Sequence, residues 1–343
     1  MASFSMYSDE QDEWGYAAET TFGTALADNT NFKKIKFPKG TRVELPIINT
    51  DMESNRAARQ LDTGDIHTDN FTGPVRITVP EVMLHKTILA DMIYACLQNK
   101  VSEGGATVYL KSFKCHLSQP DFTANAGFFF TLAWKGPVTA KHIKFTSCIV
   151  KSMEIVFDKS GTGANQLVKI RNLEIVGQTY TLACTLSGTW SAYTTTFNSY
   201  DYTLKYDDST SMEWLRCSIK LDNGAEVLDR TAAGLPKTFF LNWSHNMIAE
   251  VAHWYNANTT GTIADLMALY AAGTLFRLSI GSSATNSQDG HFKLTFYGRI
   301  NTSPYGAENK QLITPYTMQL AHASTTTNDL IIVAVADSVD QTP

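Results

Sequence analysis

The sequence predicts a mainly β protein built from two copies of one unit, each with a single α-helix, behind an extended N-terminal arm. Three observations carry that expectation. Threonine supplies 41 of the 343 residues while charged residues make up only 18%; the β-branch of threonine stiffens χ1 and suits a pleated surface. Short runs of apolar and polar residues in strand period recur along the chain, and only two stretches show a helical period. The two halves also present the same order of landmarks. With 43% hydrophobic and 11% aromatic residues, a chain this long buries about 75% of its unfolded surface, which excludes disorder as its main state. Length alone gives about two domains at ~150 residues each. The divisions read from the pattern are an arm over 1–36, a first unit over 37–195 and a second over 196–343.

The arm lacks a helix or strand period and runs from acid (Asp9 to Glu19) to base (Lys33, Lys34, Lys36, Lys39). Trp14, Tyr16 and Phe22 are costly to leave in water, so the arm is expected to dock on something. In the first unit, strands are expected at Arg42–Ile48, Val75–Val79, Thr107–Leu117, Gly127–Trp134, Ile143–Phe157 and Leu167–Val176. Between the first two lies a charged loop, Thr50–Gly73, holding Glu53, Arg56, Arg59, Asp62, Asp65 and Asp69, read as a solvated or partner-facing hairpin. Leu84, Ile88, Leu89, Met92, Ile93, Cys96 and Leu97 recur at three and four, predicting a helix over Glu81–Asn99 with Pro80 just before it.

The second unit is expected to place strands at Tyr200–Tyr206, Glu213–Leu221, Thr238–Trp243, Phe276–Ile280, Phe292–Arg299, Thr314–Leu320 and Leu330–Ala336. Its helix, Thr262–Ala272, is capped by Thr262 and stopped by Gly273. The halves share a layout. Ile48-Asn49, Arg56, Gly64, Pro74 and a strand follow one another in the first, as Asp222-Asn223, Arg230, Gly234, Pro236 and a strand do in the second. That order argues for duplication.

Catalytic chemistry finds no seat. Asp62-Thr63-Gly64 matches the tripeptide of aspartic proteases, but it occurs once and its flanks are polar, whereas a dyad needs two such loops and apolar walls. It reads as a charged turn. Gly161-Thr162-Gly163 falls short of any phosphate loop, the eight histidines form no HExxH or HxH pair, and no Gly-x-Ser-x-Gly elbow exists. His245 and His253, with Trp243 and Trp254, read as core or interface groups ahead of a ligand pocket. No enzyme, metal or cofactor is expected. The five cysteines, 96, 115, 148, 184 and 217, form no CxxC pair and fit free thiols in a reducing cytoplasm. The polar, acidic N-terminus lacks the pattern of a signal peptide, and no apolar run approaches the ~20 residues that span a bilayer. A net charge of -5 argues against a protein that grips nucleic acid.

Residues Trp14 to Ala25, WGYAAETTFGTA, resemble the opening of tail tube proteins of long-tailed, siphovirus-like bacteriophages, which often begin with an aromatic-Gly, a Glu-Thr-Thr and an aromatic-Gly-Thr. The likeness continues in the low-charge, Thr-rich β chain, the charged loop and the two-copy layout. It implies β-sandwich or barrel domains, each with one flanking helix, that close into rings and stack into a hollow tube, with three duplicated chains giving a pseudo-sixfold ring. It further implies a virion tail subunit, assembled in the host bacterial cytoplasm, whose partners are other copies of itself, a tape measure protein, and tail terminator and tail-tip proteins. Phage DNA passes through its lumen without specific binding, and no membrane is involved. The residues expected at contacts between subunits or rings are Trp14, Tyr16, Glu19 and Phe22 of the arm, Glu53, Arg56 and Arg59 of the loop, and Asp229 and Arg230 of the second copy. Channel-facing strands are expected to carry more Asp/Glu than Lys/Arg, since DNA that adhered to the wall could not slide. The alternatives are another β-rich virion protein, connector or decoration, or a carbohydrate-binding β-sandwich module using Trp190, Tyr193, Tyr200 and Tyr202.

Overall fold

Alternation of buried and exposed side chains is the rule that builds this molecule. The computed structural model describes residues 13–45, 49–51, 66–68, 74–104, 109–115, 120–136, 138, 141–160, 166–191, 196–207, 210–230, 236–242, 247–254, 263–282, 292–303, 306–308, 311–321 and 331–337. The first half contains β1 (Glu13–Ala18), β2 (Phe32–Ile35), β3 (Arg42–Glu44), β4 (Asn49–Asp51), β5 (Ile66–Thr68), β6 (Val75–Met83), α1 (Lys86–Leu97), β7 (Gln98–Gly104), β8 (Tyr109–Cys115), β9 (Phe130–Lys135), β10 (His142–Asp158), β11 (Lys169–Gly177), β12 (Thr179–Cys184) and β13 (Trp190–Ser191). The second contains β14 (Tyr202–Tyr206), β15 (Thr210–Met212), β16 (Trp214–Asp222), β17 (Glu226–Arg230), β18 (Pro236–Phe240), β19 (Ile248–Trp254), α2 (Ile263–Ala272), β20 (Phe276–Ser282), β21 (Phe292–Ile300), β22 (Gly306–Glu308), β23 (Gln311–Leu320) and β24 (Ile331–Asp337).

The protein is therefore mainly β, with two α-helices among the described residues. Twenty strands join in one mixed network of hydrogen-bonded pairs, and β4–β5 and β17–β18 form two small separate pairs. Every pair is antiparallel except β2–β13. In the first half, β1 pairs with β2 and β9; β10 pairs with β9, β12 and β11; and β11 leads through β6 to β3. In the second half, β14 pairs with β15 and β20; β21 pairs with β20, β24 and β23; and β23 leads through β19 to β16. The halves are joined where β10 pairs with β16 and β24 with β8.

Strand β10 explains how one chain serves two layers. Its first part, to Cys148, lies between β9 and β12, and its second part, from Ile149, between β11 and β16. The turn of direction falls at Ser147, which takes a left-handed φ of 51°, and opposite it at Gly177, where a Cβ would press on the Cys148 Sγ at 3.0 Å. Strand β6 shows the alternation plainly: Val75, Ile77 and Val79 are buried while Arg76, Thr78 and Pro80 face out. One buried cluster takes side chains from both halves, among them Ile77, Ile88, Met92, Ile155 and Ile175 from the first and Ile219, Val251, Leu266, Leu294 and Met318 from the second. The two halves share a single core.

Two expectations are corrected. The extended arm is, from Glu13 onward, part of the sheet: β1 pairs along its length with β9, and Tyr16, Phe32 and Ile35 are buried. The aromatic side chains that made a free arm costly are the ones that fold it in. Residues 1–12 lie outside the described residues. The first helix starts at Lys86, not Glu81, and Pro80 lies inside β6. Proline is tolerated there because pairing with β3 ends at Thr78, leaving that side of the strand open.

Candidate assembly surfaces

The outward face of the large sheet is a field of alternating charge. Antiparallel register places Arg42 across from Thr78, Glu44 from Arg76, Glu154 from both Arg171 and Lys220, Ser218 from Glu250 and Asp158 from Arg216. Opposite charges set directly across strands each add a few tenths of a kcal/mol, roughly 0.2–1, and fix register. Carboxylates (Glu44, Glu154, Glu174, Asp222, Glu250) and cations (Arg42, Arg76, Arg171, Arg216, Lys220) are interspersed on it, so this face is balanced and does not lean acidic. Glu174 receives Lys151 at 3.1 Å and Arg76 at 4.0 Å, and Glu81 receives Lys169 at 2.8 Å and Arg171 at 3.0 Å. These two cations hold the Glu81 carboxyl below its usual range against the effect of its partial burial. A groove of about 440 Å³ runs across this face, lined by Glu154, Arg171, Arg216, Glu250, Thr302 and Thr317. It crosses the line where the halves meet.

That meeting line combines a strand ladder with buried side-chain contacts. β10 and β16 pair over seven positions, from Ser152 with Asp222 to Asp158 with Arg216. Beyond the ladder, Asn223 is fully buried and ties three segments together. Its Nδ2 donates to the Cys96 carbonyl at the end of α1 (3.1 Å) and to the Val150 carbonyl (2.7 Å). Its Oδ1 accepts the Ala225 N–H (3.0 Å), and its own N–H donates to the Lys151 carbonyl (2.9 Å). The β17–β18 hairpin then lays Phe239 and Leu241 on Phe122, Phe129, Ile149 and Val176 of the first half.

The arm residues expected at contacts between subunits make their contacts within the chain. Trp14 stacks on Phe145 and tilts against Phe37. Tyr16 is buried and its hydroxyl donates to Asp91 Oδ2 at 3.0 Å, which also holds Lys33 at 2.7 Å. Glu19 accepts from the Thr131 hydroxyl (2.5 Å), the Ser147 N–H (2.8 Å) and the Ser147 hydroxyl (2.6 Å). Burial pushes its carboxyl up, and these hydrogen bonds only partly offset that. Phe22 packs on Phe122, Phe129 and Phe239. Tyr16 and Glu19 are both buried within the single chain. Glu53, Arg56 and Arg59 lie outside the described residues, as do Asp62-Thr63-Gly64 and Gly161-Thr162-Gly163. Asp229 and Arg230 stand on β17, across from Thr238 and Pro236, and of their side chains nothing is described.

Other candidate chemistry is sparse. Among the described residues no group of three or more His, Cys, Asp or Glu could hold a metal ion, and no helix is long and apolar enough to cross a membrane. Cys96, Cys148, Cys184 and Cys217 are buried free thiols. Burial pushes Cys217 up to about 12 and Cys148 well above the usual thiol range, so neither is a thiolate nucleophile near neutrality. Of the aromatic residues that could form a sugar platform, Trp190 packs on Phe32 and Tyr202 is buried, leaving Tyr200 exposed with its hydroxyl on the Lys159 carbonyl. Tyr193 lies outside the described residues.

No protein-family model matches this chain, and no curated protein matches it. Sequence reasoning missed the β10–β16 junction and Asn223. A signal was present in Asp222-Asn223-Gly224, a turn tripeptide placed directly after an alternating strand.

Proposed function

We propose that this chain is the structural subunit of a hollow tube, the major tail tube protein of a long-tailed bacteriophage, built as two tandem copies of one unit. One observation carries the reading: eight strands in each half pair in the same pattern. β1, β2, β3, β6, β9, β10, β11 and β12 stand to one another as β14, β15, β16, β19, β20, β21, β23 and β24 do. A helix precedes β9 as another precedes β20, and a small two-stranded pair is inserted between β3 and β6 as between β16 and β19. The same arrangement twice in one chain, joined edge to edge, is the start of a rotational series.

The series has two open ends. The internal joint pairs the outer edge of β10 with β16. The equivalent edges, the outer side of β21–β22 and the outer side of β3, have no strand partner among the described residues. An exposed edge is an aggregation liability unless it is used, and a heterologous contact that repeats by rotation closes into a ring. Each chain brings eight strands to the shared sheet, counting β21 with β22 as one. Three chains bring twenty-four, and at ~4.8 Å between strands tilted by ~40° they close a barrel about 45–50 Å across between backbones. With side chains inside, that still admits duplex DNA. A wall of balanced, self-paired charge lets a polyanion slide, because its cations are already engaged and few remain to bind phosphate. Ring stacking around a tape measure protein, capped by terminator and tip proteins, completes the proposed role; no catalysis enters it.

The test is negative-stain microscopy with sedimentation velocity on the purified full chain across salt and concentration. Rings or tubes near 100 Å wide are expected. Monomer throughout refutes the proposal.

A further inference from the structure

Helix α2 is apolar all round: in IADLMALYAA only Asp265 is charged. A helix of that composition belongs in an interior. Leu266 is indeed buried, but Met267 is 40% exposed, Tyr270 38%, and Leu275, just past the helix, 44%. The equivalent helix is very different. In α1, Ile88, Met92, Ile93, Ala95, Cys96 and Leu97 are all buried, and Phe129, which precedes β9 as Leu275 precedes β20, is 2% exposed.

Part of what covers α1 comes from its own insert, β7–β8, which packs beside it. Its own half also supplies β10 and β2, and the other half closes the C-terminal end of α1 and the neighbouring Phe129. Asn223 caps the Cys96 carbonyl, and Ala225, Phe239 and Leu241 close over Phe129. This cover is carried by β16, which pairs with β10. On α2 the corresponding carrier is missing because the outer edge of β21–β22 has no strand partner among the described residues. The chain does hold a matching carrier elsewhere: β3 pairs with β6 as β16 pairs with β19, and β4 follows β3 as β17 follows β16.

We propose that α2 and Leu275 form an interface with a second copy of this chain, covered by that copy's β3–β4 segment as the C-terminal end of α1 and Phe129 are covered by the segment after β16. The inference rests on the ring reading and names the surface that would close it. The match is not residue for residue. Beside the internal joint the first half sets Ile149 against Val176, where the second half sets Arg299 against Gln319. A more polar joint suits partners that first fold apart and remain soluble.

Two experiments test it. In the first, Leu275→Glu and Met267→Glu are made singly. Both positions are exposed in the single chain, so far-UV circular dichroism and melting temperature are expected to match wild type. The concentration for half-assembly in sedimentation velocity is expected to rise at least about tenfold, from burying a carboxylate without a partner. In the second, chains carrying Asn49→Cys are mixed with chains carrying Leu275→Cys under mild oxidation. A disulfide-linked dimer above the background of either variant alone is expected. Normal assembly of both Glu variants with no cross-link overturns the α2 interface and leaves the ring reading standing. A wild-type chain that never assembles removes both.

Discussion

Asn223→Ala removes a knot at the joint between the halves, and its cost can be worked from the contacts. Three hydrogen bonds vanish, leaving the Cys96 carbonyl, the Val150 carbonyl and the Ala225 N–H without that partner in a site closed to solvent. A buried group left unsatisfied costs about 1–3 kcal/mol. Carbonyls, with two lone pairs, fall at the low end, so the total comes to about 3–5 kcal/mol. The backbone bond from residue 223 to the Lys151 carbonyl survives the change. With a urea slope of about 3 kcal/mol/M, the unfolding midpoint should fall by roughly 1 M or more, read by tryptophan fluorescence on the full chain. Asn223→Asp is expected to do worse at pH 7 than at pH 5, because an ionised carboxylate faces two carbonyls while a protonated one can still donate to one of them. A midpoint shift below about 0.3 M for Asn223→Ala, with an unchanged slope, would refute the argument: the carbonyls would then have other donors and Asn223 would not be the tie.

Two further outcomes follow from the same geometry. Burial raises the Glu19 carboxyl above its ordinary value, so the native state favours the protonated form. Its contribution is present below the unfolded carboxylate pKa and is lost as pH rises through the raised native value; Glu19→Gln should flatten that part of a stability profile measured by thermal melts from pH 4 to 8. Gly188→Ala would set a Cβ 1.8 Å from the Thr30 carbonyl oxygen, forcing backbone apart where β13 meets β2. A loss of about 2–3 kcal/mol is expected from such overpacking, while Gly273→Ala, with open space around it, should lose about 1 kcal/mol from its left-handed backbone alone. Equal melting temperatures for the two variants would count against the first estimate.

The strands legible in the sequence were those with one wet face. Val75–Val79 extends to β6, Glu213–Leu221 matches β16 and Phe292–Arg299 matches β21, each within a few residues, because alternation is a direct record of a half-buried strand. β1 was illegible for the opposite reason: Tyr16 packs on Phe130 on one face and Gly15 lies against Trp190 on the other, so both faces meet protein and no alternation is left to read. β19 was hidden because Glu250 is the one exposed position among Ile248 to Ala252, too little to mark the alternation of Ala249 and Val251. The helix start was misplaced because Glu81 to Met83 belong to a strand that flows into the helix after a short break, and Leu84 continues the apolar spacing across the boundary. The site fared worse than the fold. Aromatic residues near the start read as surfaces for neighbours, yet burial there satisfies the chain itself, and no local pattern distinguishes the two. The exposed apolar side of α2 was written in Leu266, Met267, Leu269 and Tyr270, but composition alone cannot say which of those a single chain covers.

The single core running through both halves bears on how such a chain can change over generations. Ile77 and Ile219 lie in one cluster with Met318 and Met92, so a change of volume in one half is felt by side chains of the other. On the tandem-ring reading proposed above, the halves need not be interchangeable. One carries β7–β8, the other has β21 and β22 in place of one long strand, and Ile149 across from Val176 stands where the other half has Arg299 across from Gln319. A homomeric ring of separate units would make every such alteration at all positions at once, whereas a ring of such chains would alter every second one.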